Sequence, residues 1–257
     1  MLNYMKSEGY RIVHGRELYL LTGILCAVVL AANMILYGMT FVDDTFPYAT
    51  VKFSLSNLLG MLPLLFALAG LLVALLYADD RKNGTLKNAI VHGCSRTSVF
   101  VGKCIVSIAA GFVSMAIVMV VYLASAMLLL EGPAGEPASM LLTATVAALP
   151  SIVAAVVLAV GLDGFFPKTT AAIVAFVVIV FAIPQVLALI GLRIEPVAAF
   201  AQWLPGNIFG SEVNEVFTGG QLPWDKPFGW ARCLLAGFLG LVLFAAIGLR
   251  RARKTEL

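Results

Sequence analysis

Side chains able to do chemistry are scarce in this sequence, and most of them fall in one stretch, Tyr77 to Lys103, YADDRKNGTLKNAIVHGCSRTSVFVGK. Asp79, Asp80, Arg81 and Lys82 open it, Lys87 and Arg96 follow, and Lys103 closes it. Phosphate binding is the first chemistry to test, because Gly102-Lys103 is a Gly-Lys pair. A P-loop needs an earlier glycine where Thr97 stands and a Ser or Thr where Cys104 stands. The sequence therefore has no nucleotide site of that kind. Both histidines, His14 and His92, lie in polar segments, and His-Glu-x-x-His is absent. Neither a zinc protease nor a serine protease with a membrane-buried histidine is encoded. Cys26, Cys94, Cys104 and Cys233 form no Cys-x-x-Cys pair and read as structural thiols. No catalytic residue, cofactor site or metal ligand is expected, and the chain does not read as an enzyme.

The elements that must position the polar stretch are set by composition. Of 257 residues, 61% are hydrophobic and 12% charged, against about 25% charged in a soluble domain; the mean hydropathy is +0.99. A net charge of +3 is too small to indicate nucleic acid. The fold class implied is all-α, a polytopic membrane protein forming a single transmembrane domain over residues 1–257. Six apolar runs are long enough to span, at about 18–39, 55–77, 99–130, 140–162, 171–192 and 230–249. Pro63, Pro150 and Pro184 lie inside spans, and Pro63 is expected to kink span two. Span three is too long to cross upright and should protrude at Lys103. Residues 1–17 read as an interfacial amphipathic helix with Leu2, Met5, Gly9, Ile12 and Val13 on one arc and Glu8 and Arg11 on the other. Between spans five and six, Arg193 to Phe228 suggests short outer re-entrant helices, with Trp203 and Trp224 at headgroup level.

Charge gives the orientation. With the N-terminus inside, only Lys52, Arg193, Lys226 and Arg232 of the 17 Lys and Arg residues fall outside. The positive-inside rule then places both termini in the cytoplasm of a multi-pass plasma-membrane protein. The span interiors carry no formal charge in this reading. That argues against a proton relay and leaves Asn33, Asn57 and Gln185 as the candidates along a substrate path. Such an interior suits an amphiphilic cargo drawn laterally from the bilayer.

Within the polar stretch, Gly84 breaks the first helix and Thr85 can cap a short one over Leu86 to Val91, which Gly93 ends. Ser95 or Thr97 can then cap span three. A short helix held between two spans suits docking of a soluble partner; an ordinary solvated loop whose charges set topology fits the same pattern.

The order of residues resembles the loop between spans two and three of type-2 ABC transporter permeases, the small six-span bacterial ones that export lantibiotics, bacitracin-like peptides or drugs. The resembling residues are Asp79 or Asp80, Gly84-Thr85-Leu86, Ala89-Ile90, Ser95-Arg96 and Gly102-Lys103, with Lys6, Glu8 and Tyr10 matching the family's opening helix. The family's acid is usually glutamate, and proline is common where this chain has Gly93-Cys94. The resemblance implies a permease subunit exporting an antimicrobial peptide, a drug or a lipid-like molecule. It implies a cytoplasmic ABC ATPase holding ATP and Mg as partner, and a second permease chain, identical or paralogous. Asp79, Asp80, Gly84, Thr85, Leu86, Lys87, Ile90 and Arg96 would couple to the ATPase, and Glu8 would hold the interfacial helix to that loop. The other readings of the same chain are an assembly factor or signalling anchor, and a lipid scramblase acting alone.

Overall fold

The computed structural model describes residues 2–43, 45–78, 80, 89–91, 93–212 and 221–254. Its regular structure is helical: α1 Leu2–His14, α2 Glu17–Met39, α3 Val51–Gly60, α4 Pro63–Leu76, α5 Arg96–Leu129, α6 Gly135–Phe165, α7 Thr169–Val177, α8 Ile183–Gly191, α9 Glu195–Ala201 and α10 Gly229–Lys254. Among the described residues there is no strand, only an isolated bridge between Thr50 and Glu131 that ties two loops together. Five helices are long and apolar enough to cross a bilayer, and six if the bent pair α3–α4 counts as one span. One of the five is Thr169–Gly191, in which α7 and α8 are joined by a π-helical turn over Val178–Ala182. The extra residue per turn precedes Pro184, whose missing N–H leaves the α-helical ladder incomplete there.

Span two differs from its sequence reading. It starts at Val51, because the Thr50 side chain accepts from the Phe53 N–H at 3.2 Å and caps α3. It then breaks at Met61-Leu62, and α4 restarts at Pro63 with a bend of 63°. Pro63 is therefore the first residue of a new helix, where a missing N–H costs nothing.

α6 is the axis of the bundle: 61% of its most apolar window is buried, against 11% for α2 and 11% for the α7–α8 span. Its alanines at 144, 147, 148, 154 and 155 are nearly closed to solvent, and small side chains let neighbouring backbones approach without a polar mismatch. The closest approach is to α10, where a Cβ on Gly237 would sit 2.5 Å from Pro150 Cβ and 2.6 Å from the Ser151 nitrogen. Trp224 is buried in the core, and Trp203 is half exposed. α6 runs past the expected end of span four at residue 162, through Phe165, which places the Asp163 carboxylate in its last turn, 9% exposed.

Candidate functional site

The described polar residues at the base of the Tyr77–Lys103 stretch converge on one buried cluster. α1 supplies Tyr4, Glu8 and Arg11, the end of α4 supplies Leu76, Tyr77 and Asp80, and the first turns of α5 supply Lys103 and Ser107. Arg11 is the hub. Its Nε and Nη2 donate to Glu8 Oε2 at 3.0 and 2.7 Å. Its Nη1 donates to the Leu76 carbonyl at 3.0 Å and lies 3.1 Å from Asp80 Oδ1. The Leu76 carbonyl ends α4 and has no partner within that helix, so a cation there satisfies a terminal acceptor and meets the negative end of the helix dipole. The other Asp80 oxygen pairs with Lys103 Nζ. That ammonium sits 4.0 Å from the Tyr77 ring centroid, and the Arg11 guanidinium sits 5.4 Å from it. Tyr77 Oη donates to the Lys103 carbonyl at 3.2 Å and lies 2.9 Å from Ser107 Oγ.

Charges alternate through the cluster as Glu8, Arg11, Asp80 and Lys103, so it is neutral as a unit. Glu8 and Asp80 are 7% and 5% exposed; each is buried beside the cation that makes its burial tolerable. Burial works against the Arg11 charge, but the Glu8 hydrogen bond and the charges of Glu8 and Asp80 outweigh it and hold the proton more tightly than usual. Burial, then Glu8, pushes the Tyr4 phenol above its ordinary value, and burial does the same to Tyr77. The Tyr4 ring also packs directly over Gly102 of α5. Glu8 thus faces the bundle rather than the polar arc, while Leu2 and Val13 point outward. Arg11 rather than Glu8 makes the bridge to the end of span two.

Beyond the cluster, Ala89–Val91 is helical. Gly93 takes φ +84°, its N–H bonds the Ile90 carbonyl at 2.9 Å, and the Cys94 N–H bonds the Ala89 carbonyl at 3.0 Å. This pair of bonds around a left-handed residue is a Schellman closure. Ser95 then caps α5, accepting from the Ser98 N–H at 3.1 Å. Ile90 and Arg96 are half-buried on either side of this turn. Asp79, Gly84, Thr85, Leu86 and Lys87 lie outside the described residues. Among the described residues no three His, Cys, Asp or Glu side chains are grouped as metal ligands.

Residues 40–199 match the family model of the multidrug efflux system permease Rv1217c, C-terminal domain. The chain belongs to this family of multidrug efflux permeases. The matched segment contains Asp80, Lys103 and Asp163, while Glu8 and Arg11 precede it. No curated protein matches the chain. With its apolar helices, the permease is a multi-pass membrane protein and a transporter rather than an enzyme.

The permease has a cleft of about 1230 Å³, part of it open, between α2, α3–α4, α5 and α6. Leu25, Leu65, Met115, Met119 and Ile152 are among its walls. The hydroxyls it touches are already engaged: Ser114 with Thr22 at 2.8 Å, Thr145 with the Leu141 carbonyl at 2.8 Å, and Tyr122 with the Ser54 carbonyl at 2.7 Å. None of the three amide side chains named from sequence lines it. Asn33 is fully buried, donating to Ser125 Oγ at 2.7 Å and the Tyr122 carbonyl at 3.3 Å and accepting from Ser54 Oγ at 2.6 Å. It joins α2, α3 and α5 as an interhelical hydrogen-bond centre. Asn57 is exposed and bonds back to the Phe53 carbonyl at 3.1 Å, and Gln185 is exposed on α8. The structure does not bring these three together. Tyr4 and Ser107 are cluster members that the sequence did not single out, and Tyr77 and Lys103 were singled out only as the bounds of the polar stretch and, for Lys103, in the family resemblance. Their signal was available only in part, as a lysine one turn inside a span and aromatic residues at both approaches to it.

Proposed function

We propose that this efflux permease is the membrane-spanning subunit of an ATP-driven ABC exporter, sitting in the bacterial plasma membrane with both termini in the cytoplasm. A separate cytoplasmic ATPase binds ATP and Mg, and a second permease chain completes the transport path. The cargo is amphiphilic: a drug, an antimicrobial peptide or a lipid-like molecule. The observation that carries this reading is the Arg11-centred cluster. It fixes the interfacial helix, the end of span two and the start of span three to one another at the base of the polar stretch. A partner that pressed on the stretch from Asp79 to Arg96 would therefore move α1, α4 and α5 together instead of deforming a loose loop. The absence of a P-loop in the sequence and of formal charge along most of each span supports an external energy source over ion coupling. The exposed apolar faces of α2 and of the α7–α8 span suit lipid and a second permease.

The test is capture of the tagged full-length chain from its native membranes in mild detergent, with mass spectrometry of what accompanies it. A stoichiometric protein carrying a P-loop is the expected result. Capture of the chain alone, with no nucleotide-dependent transport, overturns the ABC assignment and favours a lipid scramblase or an assembly role.

A further inference from the structure

We propose that the basic end of α10 is a binding site for an anionic phospholipid. Arg250 and Arg253 hold its phosphate, and an acyl chain lies along the exposed apolar stripe of the same helix. Leu239, Val242, Leu243 and Ile247 are each more than half exposed. Only 22% of the most apolar window of this span is buried, so the stripe faces the bilayer. Arg250 comes about two turns after Leu243, and Arg253 about three turns after Val242. Both arginines are exposed and stand on the face that the acyl chains cover. From Leu239 to Arg250 the helix rises about 17 Å, close to the roughly 15 Å of hydrocarbon in one leaflet. One face thus offers cations at headgroup level and hydrocarbon below them over the length of a single acyl chain. α10 contains no Asp or Glu to repel the phosphate.

The two arginines stand on a fixed helix end. Gly248 packs against Phe100 of α5, where any side chain would strike the ring, and its Cα lies 4.0 Å from where a Cβ on Gly161 of α6 would be. Arg251 is turned another way, its guanidinium 4.8 Å from the Phe165 ring centroid. That contact ties the last turn of α10 to the end of α6 and leaves Arg250 and Arg253 on the lipid side. Lys168, exposed three residues beyond Phe165, adds positive charge to the same end of the bundle. A guanidinium presents a planar fork that can hold two phosphate oxygens at once. A zwitterionic lipid would meet the same apolar stripe but gain less from the charges. The negative end of the α10 dipole works against an anion, so the two forks must outweigh it. The rival role for these residues is to fix topology, which depends on the number of charges and not on their direction.

The site concerns the lipid around the permease and stands whether or not an ATPase partner exists. Its test uses the purified full-length chain in detergent, without nucleotide. The chain is titrated with phosphatidylglycerol, with phosphatidylcholine of the same acyl chains, and with inorganic phosphate, and bound species are followed by native mass spectrometry. Phosphatidylglycerol should bind at least about tenfold tighter than phosphatidylcholine, from about fivefold for each basic residue. Arg250→Gln/Arg253→Gln should bring it down to the phosphatidylcholine level, while Arg251→Gln keeps most of the preference. Equal losses in Arg250→Gln, Arg251→Gln and Arg253→Gln overturn the proposal, because diffuse charge then explains the effect. Inorganic phosphate binding as tightly as phosphatidylglycerol also overturns it. So does a dimer of the chain that binds no lipid, which gives the face to a second copy. If the double variant does not insert, the wild-type chain decides the matter. Raising ammonium acetate from about 0.1 to 1 M shortens the Debye length from about 10 to 3 Å and should erase the preference for phosphatidylglycerol; a preference that survives is decisive against the site.

Discussion

Asp80 and Lys103 are separated by 23 residues and meet only if the end of α4 and the start of α5 are packed as described. The perturbation is a double-mutant cycle with Asp80→Asn and Lys103→Met. The side chains are 5% and 12% exposed, so removing one partner leaves the other poorly hydrated, which costs about 3–5 kcal/mol for a fully buried pair. Two contacts lower that figure here. Lys103 keeps the face of Tyr77, and Asp80 keeps Arg11 at 3.1 Å. Each single variant is therefore expected to lose about 2–3 kcal/mol. For a chain of this size that is a fall of roughly 4–12 °C in melting temperature in detergent. The double variant removes both charges and should lose much less than the sum, giving a coupling energy of about 2 kcal/mol. Strict additivity, within about 0.5 kcal/mol, would show that the two charges do not depend on each other and would refute the cluster as an energetic unit.

Tyr4 gives a pH test. Its phenol is raised in the folded state, by burial first and then by Glu8, so the unfolded chain releases this proton first as pH rises. Stability should be unaffected by this group below about pH 10 and decline above it; Tyr4→Phe should flatten that decline in unfolding scans from pH 9 to 11.5. Asn33→Ala should cost about 1–2 kcal/mol, because it removes the hydrogen bonds that join α2 to α3 and α5, while Ser54 keeps Tyr122 Oη at 2.7 Å and Ser125 keeps the Tyr122 carbonyl at 3.0 Å. On the ABC reading, Leu86→Asp should sharply reduce cargo-stimulated ATPase activity of the reconstituted complex with an unchanged melting temperature. A variant that fails to insert would count against a docking role for that residue.

The spans were legible because hydrocarbon must be met by unbroken apolar runs and the chain has few exceptions to interrupt them. Most observed ends lie within about five residues of those read from sequence. What was not legible depends on contacts between elements. Pro63 signalled a kink, but a bend of 63° with a fresh helix start depends on how α3 and α4 pack against α6. Asp163-Gly164 followed by Pro167 looks like a turn locally; the helix runs on through Phe165 instead, with Asp163 buried and Phe165 exposed at its end. Asn33 read as a lone polar residue on a path, since Ser54, Tyr122 and Ser125, which satisfy it, are 21 to 92 residues away. Asp80 and Glu8 stood out by charge, yet their pairing through Arg11 depends on the angle at which α1 meets the bundle.

α4 connects the cluster to the interior of the bundle. Its 14 residues form a rigid rod about 21 Å long, bent free of α3 at Met61-Leu62. One side, at Ala67, Gly70 and Ala74, walls a small pocket against α6 and α7. The end, at Leu76, Tyr77 and Asp80, is held by Arg11 and Lys103. A rod hinged at one end and clamped at the other can respond to a push on the clamp only by tilting about the hinge, and tilting carries the pocket wall with it. This also separates two uses of the charges in the cluster. If they served stability alone, the Asp80→Asn/Lys103→Met double variant, with its balance of charge restored, would transport like wild type. A clamp that transmits force predicts instead that the same variant, recovered in melting temperature, still falls short in ATP-driven transport, because only the full alternation of Glu8, Arg11, Asp80 and Lys103 ties all three helices together.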